Sequence, residues 1–146
     1  MPRCDHAAFR VADLDRSIRF YEEVLPAKLT SRVQREDRWR TEIATLRPEG
    51  DPDFKIVLLM PRRVRWLLRL FHTLVPRQTR SHEHLGFAVE SREELECRSQ
   101  AAREHGAHIA NSLTRLSSGD TWLLEVHDPD GNAVEWVFGS IHDDPE

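Results

Sequence analysis

The second half of this chain repeats the first. His6 falls on His84 at an offset of 78, and at that offset Phe9 meets Phe87 and Val11 meets Val89. At an offset of 77, Asp51-Pro-Asp53 meets Asp128-Pro-Asp130, so one residue of drift separates the two alignments. Repetition at this scale points to one supersecondary unit used twice. A length of 146 residues suits one ordinary domain or two small modules sharing a core.

Each copy reads as βαβββ. His6-Ala-Ala-Phe-Arg-Val11 alternates as a strand should, and Asp13 or Asp15 can cap a helix over roughly residues 15 to 25. Ile18, Tyr21 or Glu22, and Leu25 share one face of that helix, and Pro26 lies beyond it. Strands are then expected at Lys28 to Gln34, Trp39 to Arg47 and Lys55 to Met60, with Pro48-Glu49-Gly50-Asp51-Pro52 turning between the last two. The order restarts with His84-Leu-Gly-Phe-Ala-Val89, a helix capped by Ser91 and stopped near Gly106, and strands at Ala107 to Ser112, Thr121 to His127 and Asn132 to Phe138. Asp128-Pro-Asp-Gly131 turns between the last two. The expected organisation is a single domain: module one over 3–60, a connector over 61–81, module two over 82–140 and a short acidic tail over 141–146.

The connector breaks the repeat. It holds Arg62, Arg63, Arg65, Arg69, Arg77 and Arg80 with no acidic residue, a local charge of +6 in a chain of net charge −4, leaving −10 on the remainder. Val64, Leu67, Leu68, Phe71, Leu74 and Val75 recur at helical spacing between Pro61 and Pro76, as in a basic amphipathic helix. A solvated Arg face over a core-facing apolar stripe is the plainest reading. A lid or dimer contact over the site, with Arg drawing in an anionic substrate, and a membrane-surface helix are the others. Nucleic-acid binding ranks last, because overall charge is negative and no recognised module accompanies the patch. Cys4 and Cys97 form no CxxC pair and read as reduced thiols. With neither an apolar leader nor a run of transmembrane length, a cytoplasmic location is the default expectation.

Three stretches carry a family resemblance: His6-Ala-Ala-Phe-Arg-Val-Ala-Asp-Leu-Asp-Arg-Ser-Ile-Arg-Phe-Tyr21, His84-Leu-Gly-Phe-Ala-Val89 and His127-Asp-Pro-Asp-Gly-Asn-Ala-Val-Glu-Trp136. In this order they resemble the vicinal oxygen chelate superfamily, which includes glyoxalase I, extradiol dioxygenases, fosfomycin-resistance enzymes and bleomycin-binding proteins. The resemblance implies an α+β fold in which the two βαβββ modules form a cupped, barrel-like mixed sheet. It also implies a divalent metal held by His6, His84 and Glu135. Two neutral imidazoles and one carboxylate leave open positions on the ion, as catalysis requires, whereas a structural zinc site is closed by a fourth ligand. Such a site permits Fe(II), Zn, Mn, Ni or Co, and would polarise a substrate bearing adjacent oxygens. His82, two residues before His84, points to the same strand face and is an alternative or auxiliary candidate, ranked below His84 because His84 matches His6.

The departures from the resemblance bear on the reaction. Glyoxalase I has a carboxylate ligand in its first module, where the 77-residue offset puts Leu58; Glu42 could replace it only in another register. Extradiol dioxygenases use two His and one Glu around Fe(II), with a further His and Tyr nearby, but this chain has only Tyr21, in a helix. Glu125 stands near where an acid–base group would lie and is the candidate catalytic residue, against the plainer reading of a solvated strand carboxylate. A dioxygenase-like metalloenzyme narrowly leads, followed by a glyoxalase-like isomerase or lyase. A metal-free small-molecule binder of the bleomycin-resistance kind is the alternative from outside catalysis. A homodimer is expected from the resemblance, with ligands coming from one chain or two.

Overall fold

The structure, a computed structural model, describes residues 4–51, 53–74, 84–116 and 120–139. Strand β1 (His6–Arg10) leads to helix α1 (Leu14–Glu23), then β2 (Ala27–Gln34), β3 (Thr41–Pro48) and β4 (Lys55–Pro61). A 3-10 turn at Arg62–Val64 enters helix α2 (Arg65–Leu74). The second half holds β5 (His84–Ala88), α3 (Arg92–Glu104), β6 (His108–Arg115), β7 (Trp122–His127) and β8 (Ala133–Phe138). Asp13 caps α1 by accepting from the Arg16 amide at 3.2 Å, and Ser91 caps α3 by accepting from the Glu94 amide at 3.1 Å. Each cap satisfies a donor that a helix start would otherwise leave unpaired.

By contacts the chain forms two compact units, Met1–Arg80 with Pro129–Gly131 and Ser81–Asp128 with Asn132–Glu146. Each holds its own four-stranded mixed sheet, ordered β1-β4-β3-β2 and β5-β8-β7-β6. This corrects the expectation of a barrel-like sheet. Neither sheet closes or curls into a barrel, because each repeat completes its pairing internally and ends in its own edge strands, β1 and β2 or β5 and β6. Four strands fall well short of the roughly eight that a small closed barrel needs.

The duplication runs deeper than sequence identity. In parallel pairing, His6 faces Lys55 and Ala8 faces Val57; in the second sheet His84 faces Ala133 and Gly86 faces Glu135, each member shifted by 78. Both outer strands also carry a bulge at corresponding places, between Leu29 and Ser31 and between Ile109 and Asn111. Each such bulge shifts the register of the edge strand by one residue.

Helix α1 covers one face of the first sheet. Its Leu14, Ile18 and Tyr21 are buried, as are Ala44, Leu46, Ile56 and Leu58 of the strands, and Phe9 stacks on Tyr21 with ring centroids 6.1 Å apart. In the second unit the core holds Leu95 and Ala102 of α3 with Leu124, Val126, Val134 and Trp136. Each large side chain buried in this way contributes about 1.5–3 kcal/mol. Strand alternation then sends His6, Ala8 and Arg10 in one sheet, and Glu125 and Glu135 in the other, to the face away from the helix.

Helix α2 departs from expectation. Its apolar stripe does not face a core: Trp66, Leu67, Leu70, Phe71 and Leu74 are exposed, and only Val64 and Leu68 are half-buried. Helix α2 is tethered by polar contacts instead. Arg62 pairs with Glu42 at 3.1 Å and Arg69 with Asp13 at 3.1 Å, while the Arg63 amide and guanidinium donate to the carbonyls of Trp39 and Arg38. Residues 75–81 of the connector, His82 and the 141–146 tail lie outside the described residues. No helix among the described residues is long and apolar enough to cross a membrane. Cys4 and Cys97 are both free and exposed.

Candidate active site

The sequence-derived candidates divide between the units. His6 is in the first: its ring is half-exposed, and its Nδ1 lies 3.2 Å from Asp5, which also accepts from the Lys55 ammonium at 2.9 Å. Hydrogen bonds from Lys55 and then from His6 hold the Asp5 carboxyl below the usual carboxylate range. Asp5 thus orients the imidazole from behind through one nitrogen, as carboxylates do for metal-bound histidines.

His84 and Glu135 come together in the second unit. They sit on adjacent parallel strands, with His84 Nε2 3.6 Å from Glu135 Oε1, and the carboxylate side chain is only 12% exposed. Gly86 is the register partner of Glu135, so no side chain stands between the carboxylate and His84. Glu125 is directly opposite Glu135 across the antiparallel pair. Burial, foremost, and the neighbouring Glu125 charge push the Glu135 carboxyl up, while His84 pulls it down. The shift reflects a partly desolvated carboxylate with a second carboxylate beside it.

Glu125 is held rather than merely solvated. Its Oε2 accepts from Asn111 Nδ2 at 2.8 Å, and its Oε1 lies 3.2 Å from His127 Nε2. The His127 ring is buried and stacks on His108 at 5.0 Å between centroids, and its Nδ1 has no hydrogen-bond partner among the described residues. Sequence reasoning missed Asn111 and His127 as site residues. The i, i+2 spacing of Glu125 and His127 in one strand was a readable signal; the pairing of Asn111 with Glu125 depends on a bulge that no pattern announces.

The twin of Glu135 needs correcting. Parallel register equates Glu135 with Val57, the partner of Ala8, and not with Leu58, which is fully buried on the α1 face. The one-residue drift at the Asp-Pro-Asp turns is confined to the turns, so an offset read there misplaces the strand that follows. Glu42 shares the α1 face with Leu58 and is engaged by Arg32 at 3.0 Å and Arg62 at 3.1 Å, which removes it as a substitute ligand. Tyr21 is fully buried against Phe9 and Phe20, on the opposite side of the sheet from His6.

Within the second unit, His84 and Glu135 have the chemistry and proximity of two metal ligands. Among the described residues, no group of three or more His, Cys, Asp or Glu side chains forms a cage for an ion.

A family model described as the Glyoxalase/Bleomycin resistance protein/Dioxygenase superfamily matches residues 3–136. A lactoylglutathione lyase of Haemophilus influenzae is 25% identical over 132 residues, spanning 90% of this chain and 89% of that protein. Among solved structures, a glyoxylase/bleomycin resistance protein/dioxygenase domain from Frankia sp. EAN1pec superposes with a TM-score of 0.76 at 26% identity, covering 96% of this chain and 99% of that one. A variant of the fosfomycin resistance protein FosX from Listeria monocytogenes, complexed with Mn(II) and 1S,2S-dihydroxypropylphosphonic acid, superposes at 0.66 with 15% identity, covering 95% and 93%. At that identity the likeness to FosX is one of fold.

Proposed function

The chain belongs to the Glyoxalase/Bleomycin resistance protein/Dioxygenase superfamily, and from that premise we propose that it is a small-molecule-binding protein with glyoxalase-like isomerase or lyase chemistry at a divalent metal. The observation that carries this reading is the His84–Glu135 pair on the face of the second sheet away from α3, with Glu125 directly beside it. His6 is proposed as the third ligand, from the same chain or a second copy in a homodimer, because it occupies in the first sheet the register position of His84 in the second. The FosX complex with Mn(II) makes Mn a reasonable first ion to supply.

A bound divalent ion would polarise adjacent oxygens of a substrate and stabilise negative charge developing on them. The chain's own residues would handle the proton. Glu125 is proposed as the acceptor, oriented by Asn111, with His127 as the group behind it that shares the proton. The lactoylglutathione lyase relative supports isomerase or lyase chemistry over ring cleavage. Oxygen-dependent cleavage, the reading that leads from sequence alone, ranks behind it because Tyr21 is buried away from the site face.

A second reading has its own observation. Val57 stands where a first-module carboxylate ligand would be, which favours a protein that binds its small molecule without turning it over. Metal-reconstituted protein assayed with hemithioacetals of 2-oxoaldehydes, and with catechols under oxygen, separates the readings. Hemithioacetal turnover abolished by Glu125→Gln supports the proposal. Oxygen uptake with catechols would replace it with the dioxygenase reading, and tight binding without turnover of either class would replace it with the sequestering one.

A further inference from the structure

Helix α2 turns its apolar stripe away from the unit that carries it. At about 100° per residue, Trp66, Leu70, Leu74, Leu67 and Phe71 fill one continuous arc of about 140°. All five side chains are exposed, Trp66 by 60% and Leu74 by 70%. The other side of the helix is the anchored one: Val64 and Leu68, four residues apart, are half-buried, and Arg69 holds Asp13. An apolar arc presented outward by a helix that is itself fixed marks an interaction surface.

Area narrows what that surface can take. At roughly 200 Å² for a large side chain, five that are about half-exposed leave on the order of 500 Å² of apolar surface. That is near the top of the roughly 300–600 Å² of the largest patch on a typical monomer, and short of the roughly 800 Å² per partner that a stable protein interface buries. A shallow apolar medium therefore suits the patch better than a second copy of this chain docked on it.

Charge narrows it further. Residues 54–82 contain no Asp or Glu. Arg62, Arg63, Arg65 and Arg69 are met by only two carboxylates: Glu42, which Arg62 shares with Arg32, and Asp13, held by Arg69. The Arg63 guanidinium donates to the Arg38 carbonyl, and Arg65 has no hydrogen bond or ion pair with another described residue. Arg65 also stands in the first turn of α2, where its charge opposes the helix dipole, and four residues from Arg69, where like charges repel. In the same turn α1 has Asp15 and α3 has Glu93 and Glu94. A negatively charged surface beside α2 relieves both of these costs at once.

We propose that α2 seats this protein on an anionic lipid bilayer, with the stripe from Trp66 to Leu74 at the boundary of headgroups and acyl chains and the Arg65 guanidinium among the lipid phosphates. A helix with one apolar face carrying Trp, Leu and Phe and with Arg beside it lies in the plane of such a boundary, and Trp favours that depth. At ten residues α2 lies on the bilayer and does not span it. The chain outside 61–81 carries a net −10, so attraction is confined to the side that α2 presents, within a Debye length of about 8–10 Å. That confinement sets one orientation and makes the seat reversible and salt-sensitive. It needs neither metal nor turnover.

The test is flotation of the full chain with vesicles of phosphatidylcholine alone and of an equimolar mixture with phosphatidylglycerol, beside sedimentation velocity without lipid. The anionic vesicles should bind at least about ten-fold more tightly than the neutral ones. Raising salt from about 0.1 to about 1 M, which shortens the Debye length from about 10 to about 3 Å, should erase that preference. The double variant Trp66→Ser with Leu70→Ser should lose vesicle binding while its circular dichroism stays that of wild type, since both sites are exposed. Arg65→Gln should weaken binding to anionic vesicles about five-fold and leave neutral vesicles unaffected. Binding to neither vesicle, equal binding to both, or unchanged binding in the double variant would overturn the proposal. So would a lipid-free dimer that the double variant breaks, with no vesicle binding by wild type, which would give the stripe to a second copy of the chain.

Discussion

Glu135 is a largely buried carboxylate of the candidate site, and that has a measurable consequence. Its folded carboxyl is raised above the ordinary value of 4.5, chiefly by burial. Stability is therefore full below about that value and is lost as pH rises through the higher folded one. In metal-free protein, Glu135→Gln should unfold at a higher temperature than wild type at pH 7, with the difference vanishing near pH 4. Saturating divalent ion should reverse the order, stabilising wild type by about 2.7 kcal/mol at a hundred times Kd and the variant not at all. Asp130 is a contrasting carboxylate, fully buried and accepting from Ser17 Oγ at 3.1 Å and Arg16 at 3.2 Å within the first unit. Asp130→Ala should lower the free energy of urea unfolding by about 1–3 kcal/mol, since Ser17 is left with one hydroxyl partner fewer in a buried place. At this scale His6, His84, Glu135 and Glu125 could be picked out as candidates from motif and repeat, and three of them, His84, Glu135 and Glu125, are neighbours in the second sheet. His127 was readable from its i, i+2 spacing to Glu125 but was not singled out; Asn111 could not be, because its contact with Glu125 is made across strands beside a bulge, which a one-dimensional pattern does not encode.

At the scale of elements, β5 and α2 make opposite claims. Gly86 faces Glu135 in β5, and a Cβ there would meet only His84 Cδ2 at 3.9 Å. Gly86→Val should therefore fold normally, with a β-branched residue favoured in the strand, yet crowd the ligand pair and weaken divalent-metal binding at least about ten-fold. Isothermal titration with Mn(II) reads the second effect and circular dichroism the first. In α2, Trp66 and Leu70 are exposed, so Trp66→Ser and Leu70→Ser should shift the unfolding free energy by no more than about 0.5 kcal/mol. The helix itself was legible from its spacing. Its exposure was not, because periodicity reports that a stripe exists and not what, if anything, the stripe packs against. Strand identities were also legible, but the equivalence of Glu135 with Leu58 failed by one residue, and one residue is a change of face.

For the whole molecule, the duplication is the organising fact: two four-stranded sheets with matched parallel register and matched bulges, in a chain of the superfamily. The repeated order βαβββ could be read directly from the halves. That the sheets stay open, against the barrel-like expectation, could not, since hydrophobic alternation is the same for an open sheet as for a closed one, and only the partners of the edge strands distinguish them. The register match is the ground on which His6 is proposed as a third ligand with His84 and Glu135. Elemental analysis of purified, Mn(II)-reconstituted protein, wild type beside His6→Ala, His84→Ala and Glu135→Ala, tests that assignment most directly. Near-stoichiometric metal in wild type, lost in all three variants while their circular dichroism is unchanged, is the expected result. Metal retained in His6→Ala, or none bound by wild type, would contradict it.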